Sequence, residues 1–237
     1  MPIILHEIPI SHNCTKVRVA LKRKGLEYES VSIPPPDRSL VRRLSGQGLV
    51  PMIVDGDACV ADSTRILLHL EDRYPDPPLL PSDTAARAEC LLLEDWADQA
   101  FMALTRRLGY WQVLARPGAL ARAWGMEGGG LRSRAILRIG SGVVRRRFGL
   151  SAAQNRQDET EARRVASLAI ERLGAGPYLL GDRLTIADIA LASMAAPLFA
   201  AAPAVTADPS VRRLLDWIPT ILPAEDVALY RQDRSRG

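Results

Sequence analysis

Four prolines within eight residues divide this sequence into two parts with different patterns. They occupy positions 75, 77, 78 and 81. Proline lacks a backbone N–H and its ring clashes with the preceding helical turn, so this stretch cannot lie inside a helix. The segment 75–82 is therefore predicted to be a linker between two domains, which is compatible with a length of 237 residues.

The part before the linker is predicted to alternate strands and helices. Short β-branched runs and an Asp-Gly-Asp hairpin turn indicate strands, and period-3.6 apolar spacing indicates helices. The expected strands are 3–8, 27–33, 52–54 and 58–60, and the expected helices are 14–24, 38–44 and one that begins after a cap at Asp62. This order is typical of an α/β domain, and we assign it to residues 1–80.

The part after the linker shows no convincing strand pattern. A long helix is expected to begin with Ser82 as its cap, and 162–173 is strongly amphipathic. Thr185 and Asp188 form an acidic variant of a capping box, inside a possible hydrophobic staple over 184–189. Asp208 followed by proline predicts another helix start. Residues 83–237 are therefore expected to form an all-α domain.

One segment of the second part is strongly basic. Residues 116–149 contain eight arginines and one acidic residue, Glu127, whereas the whole chain has a formal net charge of only +4. The segment is also interrupted by glycines, and we interpret it as an exposed insertion. Its aromatic residues are too few and too scattered for a base-stacking platform, so we expect no nucleic-acid binding.

Several kinds of function are not indicated. The chain lacks the glycine-rich phosphate-binding motifs and the His and Cys spacings of metal sites, so no metal is expected. Cys14, Cys59 and Cys90 are far apart and odd in number, which argues against a disulfide framework. No signal peptide and no 18-residue apolar span is recognisable, so we expect a cytoplasmic protein without a membrane segment.

Two residues at the first strand-to-helix junction are candidates for chemistry. The N-terminus of a helix favours an anion, and a hydroxyl at Ser11 can donate to a thiolate held there. Ser11 could equally be a simple helix cap. Cys14 lies about one turn inside the helix and is more compatible with a small core residue.

Two further junctions carry candidate binding groups. A cis bond before Pro51 would leave the backbone of Val50 free to pair with an extended, peptide-like ligand, although an ordinary trans proline is the alternative. Ser63 could hold a carboxylate at a helix N-terminus while Asp62 holds an amine, although this pair could also be a plain cap.

Taken together, these segments resemble the glutathione S-transferase family, in particular its serine-type tau and zeta classes. The resemblance covers roughly 1–80 and 155–220 and implies a thioredoxin-like first domain. The motifs that carry it are Ser-His-Asn-Cys-Thr-Lys-Val-Arg-Val-Ala-Leu-Lys-Arg-Lys-Gly-Leu-Glu-Tyr-Glu at 11–29, Gly-Leu-Val-Pro-Met-Ile at 48–53, Asp-Ser at 62–63 and the capped start at 184–189.

The resemblance implies a role for each candidate. Ser11 would activate the glutathione thiol, and Cys14 falls at the resolving position of the related glutaredoxins. The residues implied to bind glutathione are Ser11, Leu49, Val50, Pro51 in the cis form, Asp62 and Ser63. Leu49 departs from the family, which often has Lys or Gln there, and Gln47, Arg42 or Arg43 are possible substitutes.

The function implied is a homodimeric, cytoplasmic glutathione transferase that serves detoxification. Glutathione would be its co-substrate, and the second substrate would be a small apolar electrophile bound between the domains. Two alternatives remain open: a non-catalytic binding or scaffold protein with the same fold, and a thiol-transferase that uses Cys14.

Overall fold

The first part of the chain folds around one four-stranded mixed sheet. The structure is a computed structural model that describes residues 2–33, 37–115 and 140–231. The strands are β1 (Ile3–Glu7), β2 (Tyr28–Ser32), β3 (Met52–Asp55) and β4 (Ala58–Ala61), in the order β2-β1-β3-β4. Only β1 and β2 are parallel. The helices are α1 (His12–Arg23), α2 (Ser39–Ser45) and α3 (Ser63–Arg73), so the predicted order of elements is confirmed.

The second part is helical. After α4 (Thr84–Leu114), helical residues 140–147 form α5, and the remaining α-helices are α6 (Ala152–Leu173), α7 (Ile186–Ala195), α8 (Pro203–Thr206), α9 (Pro209–Ile221) and α10 (Ala224–Ala228). Within the described ranges, every strand of the sheet lies before residue 62. The fold is a thioredoxin-like α/β part followed by an all-α part.

Several helix starts differ from the expectation. Asp83, not Ser82, caps α4: its carboxylate accepts the Ala86 N–H at 2.9 Å. The predicted Ser82 cap was therefore wrong by one residue. The helix expected at 162–173 begins ten residues earlier, where Ser151 caps α6 by accepting the Gln154 N–H. Asp208 caps α9 as predicted, accepting the N–H groups of Ser210 and Val211.

A single hydrophobic core joins the two parts. Its fully buried members include Leu5 on β1, Phe101 on α4 and Ile189 on α7. A much smaller cluster of Ile33, Val41 and Met52 lies on the opposite face of the sheet, beneath α2. Because the larger cluster is continuous, the packing of α1 against α7, and of α7 against α4, fixes the sheet relative to the helical part.

The proline-rich linker is tied to the first part by polar groups. The carboxylate of Glu71 accepts the N–H groups of Leu79 and Leu80. The buried ammonium of Lys24 pairs with Glu71 and donates to the carbonyls of Tyr74 and Pro77. Proline cannot donate a backbone hydrogen bond, so these side chains hold the segment together with the Ile186 N–H, which donates to the Leu79 carbonyl.

The C-terminal end of the described chain also holds α1. Arg18 is buried between Glu7 on β1 and Asp226 on α10, and its guanidinium donates to the Pro9 carbonyl at 2.9 Å. On the same helix, the hydroxyl of Thr15 bonds to that of Tyr230 at 2.8 Å. The start of α1 is thereby fixed from two sides.

The basic segment 116–149 lies largely outside the described residues, because 116–139 fall in a gap between the described ranges. The described remainder includes α5, on which Arg145, Arg146 and Arg147 are exposed. Phe148 stacks on Tyr110 of α4 with ring centroids 4.7 Å apart, and this contact holds the end of α5 against α4.

Asp188 makes the buried capping box at the start of α7. Its carboxylate accepts the N–H of Thr185 and the hydroxyl of Thr185, each at 2.8 Å. It also accepts the N–H of Leu179 at 2.7 Å, a contact that links the preceding loop to α7. Asp188 is fully buried, so each of these donors would lack a partner without it.

We predict that Asp188→Ala lowers the free energy of unfolding by at least about 2 kcal/mol, because it leaves two buried N–H groups unpaired. Thr185→Ala should cost about 1 kcal/mol, as is usual for the loss of a cap. Thermal unfolding measures both. Asp182→Ala, an exposed neighbour, should be nearly neutral, and an equal loss in this control would contradict the prediction.

Candidate functional site

The sheet register brings three chain segments to one edge. His6 near the end of β1 pairs with Met52 at the start of β3, and Met52 pairs with Ala61 at the end of β4. The residues that follow β1, precede β3 and follow β4 therefore meet at this edge. These are the segments that carry Ser11, Val50 with Pro51, and Asp62 with Ser63.

Ser11 lies at the N-terminus of α1, in extended backbone conformation and half-buried. It occupies the cap position, but its hydroxyl makes no capping hydrogen bond, so the plain-cap alternative is wrong for this side chain. The N–H groups of His12, Asn13 and Cys14 have no partner among the described residues. A helix start with free amides attracts anions.

Cys14 is fully buried, as its position predicted. Burial raises the pKa of the Cys14 thiol to about 11, and hydrogen bonds from the Ile8 backbone and the Ser11 side chain offset only part of that effect. The thiol therefore stays protonated at neutral pH, and a buried protonated thiol is a poor nucleophile. The Ser11 hydroxyl lies close enough to this sulfur to interact with it.

The loop before β3 exposes unpaired backbone. The Val50–Pro51 peptide bond is cis, as the resemblance implied. The N–H and C=O of Val50 make no hydrogen bond within the described part of the chain, which leaves them free for an extended ligand. Leu49 is 70% exposed and offers no polar group.

Arg42 on α2 reaches this loop. A Cβ atom placed on Gly48 would lie 2.9 Å from the Arg42 Nε atom, so the guanidinium rests directly against the Gly48 backbone. Among Gln47, Arg42 and Arg43, the possible substitutes for Leu49, Arg42 places a cationic group on the loop. Glycine at 48 leaves room for it.

Asp62 and Ser63 begin α3 at the same edge. Asp62 has a φ of 82°, and among the described residues no other non-glycine residue has a positive φ. Such strained backbone persists only where surrounding contacts enforce it and often marks functional sites. The Asp62 carboxylate caps the helix by accepting the Arg65 N–H at 3.1 Å. Ser63 is buried with its amide at the first helical position.

A buried ion cluster that was not predicted from the sequence lies beneath the site. The ammonium of Lys16 on α1 is fully buried and pairs with Glu94 and with Asp98 of α4, the latter at 2.9 Å. It also donates to the Thr64 hydroxyl at 3.2 Å, which in turn donates to Glu94 at 2.8 Å. The i,i+4 spacing of the two acids was a visible signal, but only the fold places Lys16 opposite them.

Asp98 keeps one unused hydrogen-bond acceptor in this cluster. Burial raises the pKa of Asp98, while its contact with Lys16 opposes that effect. Its second oxygen, Oδ1, is buried without a hydrogen-bond partner in the described structure.

Within the same described ranges, no group of three or more His, Cys, Asp or Glu residues could hold a metal ion. None of the helices described is both long and apolar enough to span a bilayer.

Comparison with known proteins assigns the chain to a family. Residues 5–78 match the model of the glutathione S-transferase N-terminal domain, and residues 152–218 match that of the C-terminal domain. Together these ranges cover more than half of the chain. The protein belongs to the glutathione S-transferase family.

Curated relatives match mainly the first part. Glutathione S-transferase Z2 of Arabidopsis thaliana is 43% identical over 77 residues, which are 31% of this chain and 34% of the relative. The stringent starvation protein A homolog of Pasteurella multocida (strain Pm70) is 35% identical over 89 residues, 35% of this chain and 42% of the relative. The matches thus span between a third and somewhat under half of the length of these relatives.

A solved structure matches over almost the whole chain. It is a glutathione transferase family member from Pseudomonas fluorescens pf-5 with two glutathione molecules bound. The TM-score is 0.65 at 20% identity, and the match covers 97% of this chain and 92% of the other. At that identity the likeness establishes the fold.

Proposed function

We propose that this protein is a glutathione transferase in which Ser11 activates the thiol for attack on a small electrophile. The observation that carries the proposal is the single sheet edge at which Ser11, the free backbone of Val50, and Ser63 with Asp62 meet. These groups suit the cysteinyl and γ-glutamyl parts of glutathione, which is bound in the solved relative described above.

The proposed chemistry is the stabilisation of a thiolate. A free thiol has a pKa near 8.5, so only a few per cent is ionised at pH 7. Lowering that pKa by about two units costs about 2.7 kcal/mol of differential stabilisation. One hydrogen bond from Ser11 to the charged sulfur, together with the free amides of α1, supplies energy of this order.

We predict that Ser11→Ala lowers the rate of conjugation about tenfold or more, because a hydrogen bond to a charged group contributes about 1.5–3 kcal/mol. Cys14→Ser should leave that rate nearly unchanged, since the buried thiol is not the nucleophile. Steady-state conjugation of glutathione to a small aryl halide measures both.

The same two variants test the rival thiol-transferase. That reaction would require a mixed disulfide between Cys14 and glutathione, visible as a mass increase on oxidation that Cys14→Ser abolishes. The burial and raised pKa of Cys14 disfavour it. Full conjugation activity in Ser11→Ala would exclude the role proposed for Ser11.

We further propose that Arg42 binds the glycyl carboxylate of glutathione in place of the polar residue that Leu49 lacks. We predict that Arg42→Ala raises the Kd for glutathione about tenfold. The Kd for γ-glutamylcysteine, which has no glycine, should change less than twofold. Calorimetric titration measures both ligands.

Arg43→Ala is the matched control, because Arg43 is the adjacent exposed arginine of α2. It should affect neither ligand. Equal weakening of glutathione and γ-glutamylcysteine by Arg42→Ala would show that Arg42 does not recognise the glycyl end.

The second candidate is a non-catalytic binding protein with this fold. The observation that favours it is the exposed, apolar Leu49 on the glutathione-binding loop. Glutathione binding without turnover of any electrophile would distinguish it from the transferase.

We propose that the protein is a homodimer, as the family resemblance implies. Light scattering should give a mass of about twice the 25.9 kDa of the chain. A mass near 26 kDa at micromolar concentration would contradict this prediction.

The remaining parts of the proposal concern organisation and location. Residues 1–80 would form the glutathione-binding domain and 83–237 the helical domain, with 116–149 as an insertion. Three free cysteines suit a reducing cytoplasm, where the protein would detoxify electrophiles. Cell fractionation tests the location, since recovery outside the cytosol would contradict it.

A further inference from the structure

One stripe of α4 faces α1 along the site. Its members follow at i,i+4 spacing, which places them on one helix face. They are Glu94, Asp98, Met102 and Arg106. Lys16 pairs with the first two, and the Asn13 side-chain amide donates to the Met102 sulfur at 3.5 Å. The charge of Arg106 lowers the pKa of His12, which places the two groups at the same end. The two helices therefore run antiparallel, and Ser11 lies near the Arg106 end.

The charge along this stripe changes sign. At one end, Glu94 and Asp98 share the single ammonium of Lys16, so that end keeps an excess negative charge. At the other end, Arg106 has no ion pair or hydrogen bond among the described residues, whereas the adjacent Arg107 is paired with Asp158 at 2.6 Å. Asp98 and Arg106 are about 12 Å apart along the helix axis.

The basic end also contains an unsatisfied buried nitrogen. His12 is 6% exposed, and its Nε2 atom has no hydrogen-bond partner in the described structure. Burial lowers the pKa of His12 to about 3, with smaller contributions from Arg106 and Lys16. The imidazole is therefore neutral, and in one tautomer its Nε2–H can donate to a ligand. A buried polar group without a partner is unfavourable unless a water or a ligand completes it.

We propose that Arg106 and His12 bind a negatively charged group on the electrophile, beside the sulfur held at Ser11. This rests on the proposed transferase function and makes the acceptor an anionic electrophile, such as an aryl halide that carries a carboxylate. Asn13 is not part of the anion site, because its unpartnered atom is an oxygen. The family resemblance implied an apolar acceptor. An apolar body beside Met102 agrees with that expectation, and the negative charge is the addition.

The reaction that tests the proposal is aromatic substitution with a matched pair of acceptors. The two acceptors are 4-chloro-3-nitrobenzoate, an anion, and 4-chloro-3-nitrobenzamide, its neutral counterpart. In both, the thiolate attacks the carbon that bears chlorine, a C–S bond forms, the C–Cl bond breaks, and chloride leaves with the bonding electron pair. The thiol proton is released to solvent when the thiolate forms.

Arg106→Met should lower kcat/KM about tenfold for the benzoate and less than twofold for the benzamide, because only the anion loses a charged partner. His12→Phe should show the same selectivity with a smaller loss. Arg156→Met, which removes an exposed arginine of α6, is the control and should change neither rate. Equal losses for both acceptors, or no loss for either, would overturn the proposal.

A second measurement separates this proposal from the transferase itself. If the wild-type chain binds glutathione but converts neither acceptor, the proposed function fails. The anion site is then tested by the Kd values of the two S-aryl glutathione products. Wild-type protein should prefer the carboxylate product over the carboxamide, and Arg106→Met should abolish that preference. The absence of any preference in the wild type would exclude the anion site.

Discussion

The buried ammonium of Lys16 is the interaction on which the rest of the site depends. It joins α1, which carries Ser11, to the start of α3 through Thr64 and to α4 through Glu94 and Asp98. Replacing a whole buried ion pair with apolar side chains often leaves the folding stability unchanged or raises it. Removing only one partner typically lowers the folding stability by about 3–5 kcal/mol. The cluster is therefore best understood as a positioning device, which fixes three helices in one arrangement.

That arrangement gives Ser11 and Cys14, at the start of α1, different environments. Positions 11 and 14 are one helical turn apart, yet one lies half-buried beside free backbone amides and the other is fully buried. Both side chains are small and polar, and either could act on the sulfur of glutathione. Desolvation decides between them, because it raises the pKa of the Cys14 thiol and keeps it protonated, whereas a serine hydroxyl can donate a hydrogen bond without ionising.

The same fixed helices give this face of α4 its polarity. An acidic end of α4 lies toward the start of α3, and a basic end lies toward the start of α1. Glutathione carries an ammonium at its γ-glutamyl end, and the proposed binding mode puts that end at Asp62 and Ser63, beside the acidic end. The electrophile would approach from the basic end, so one α4 stripe would orient both substrates relative to the sulfur between them.

Local sequence determined the elements of this protein, and tertiary structure decided the site. The helix-free proline segment at 75–82, the Asp188 capping box and the strand–helix order were predictable, because propensities, caps and turns act within a few residues. The cap of α4 was predicted one position too early, at Ser82 and not Asp83, because neighbouring Ser and Asp residues cap equally well. Local sequence did not predict three features of the site: the Lys16 cluster, the position of Arg42 against the loop, and the unpaired Arg106. Each depends on contacts between residues distant in the chain, and burial, which sets their charges and partners, exists only once those segments have packed together.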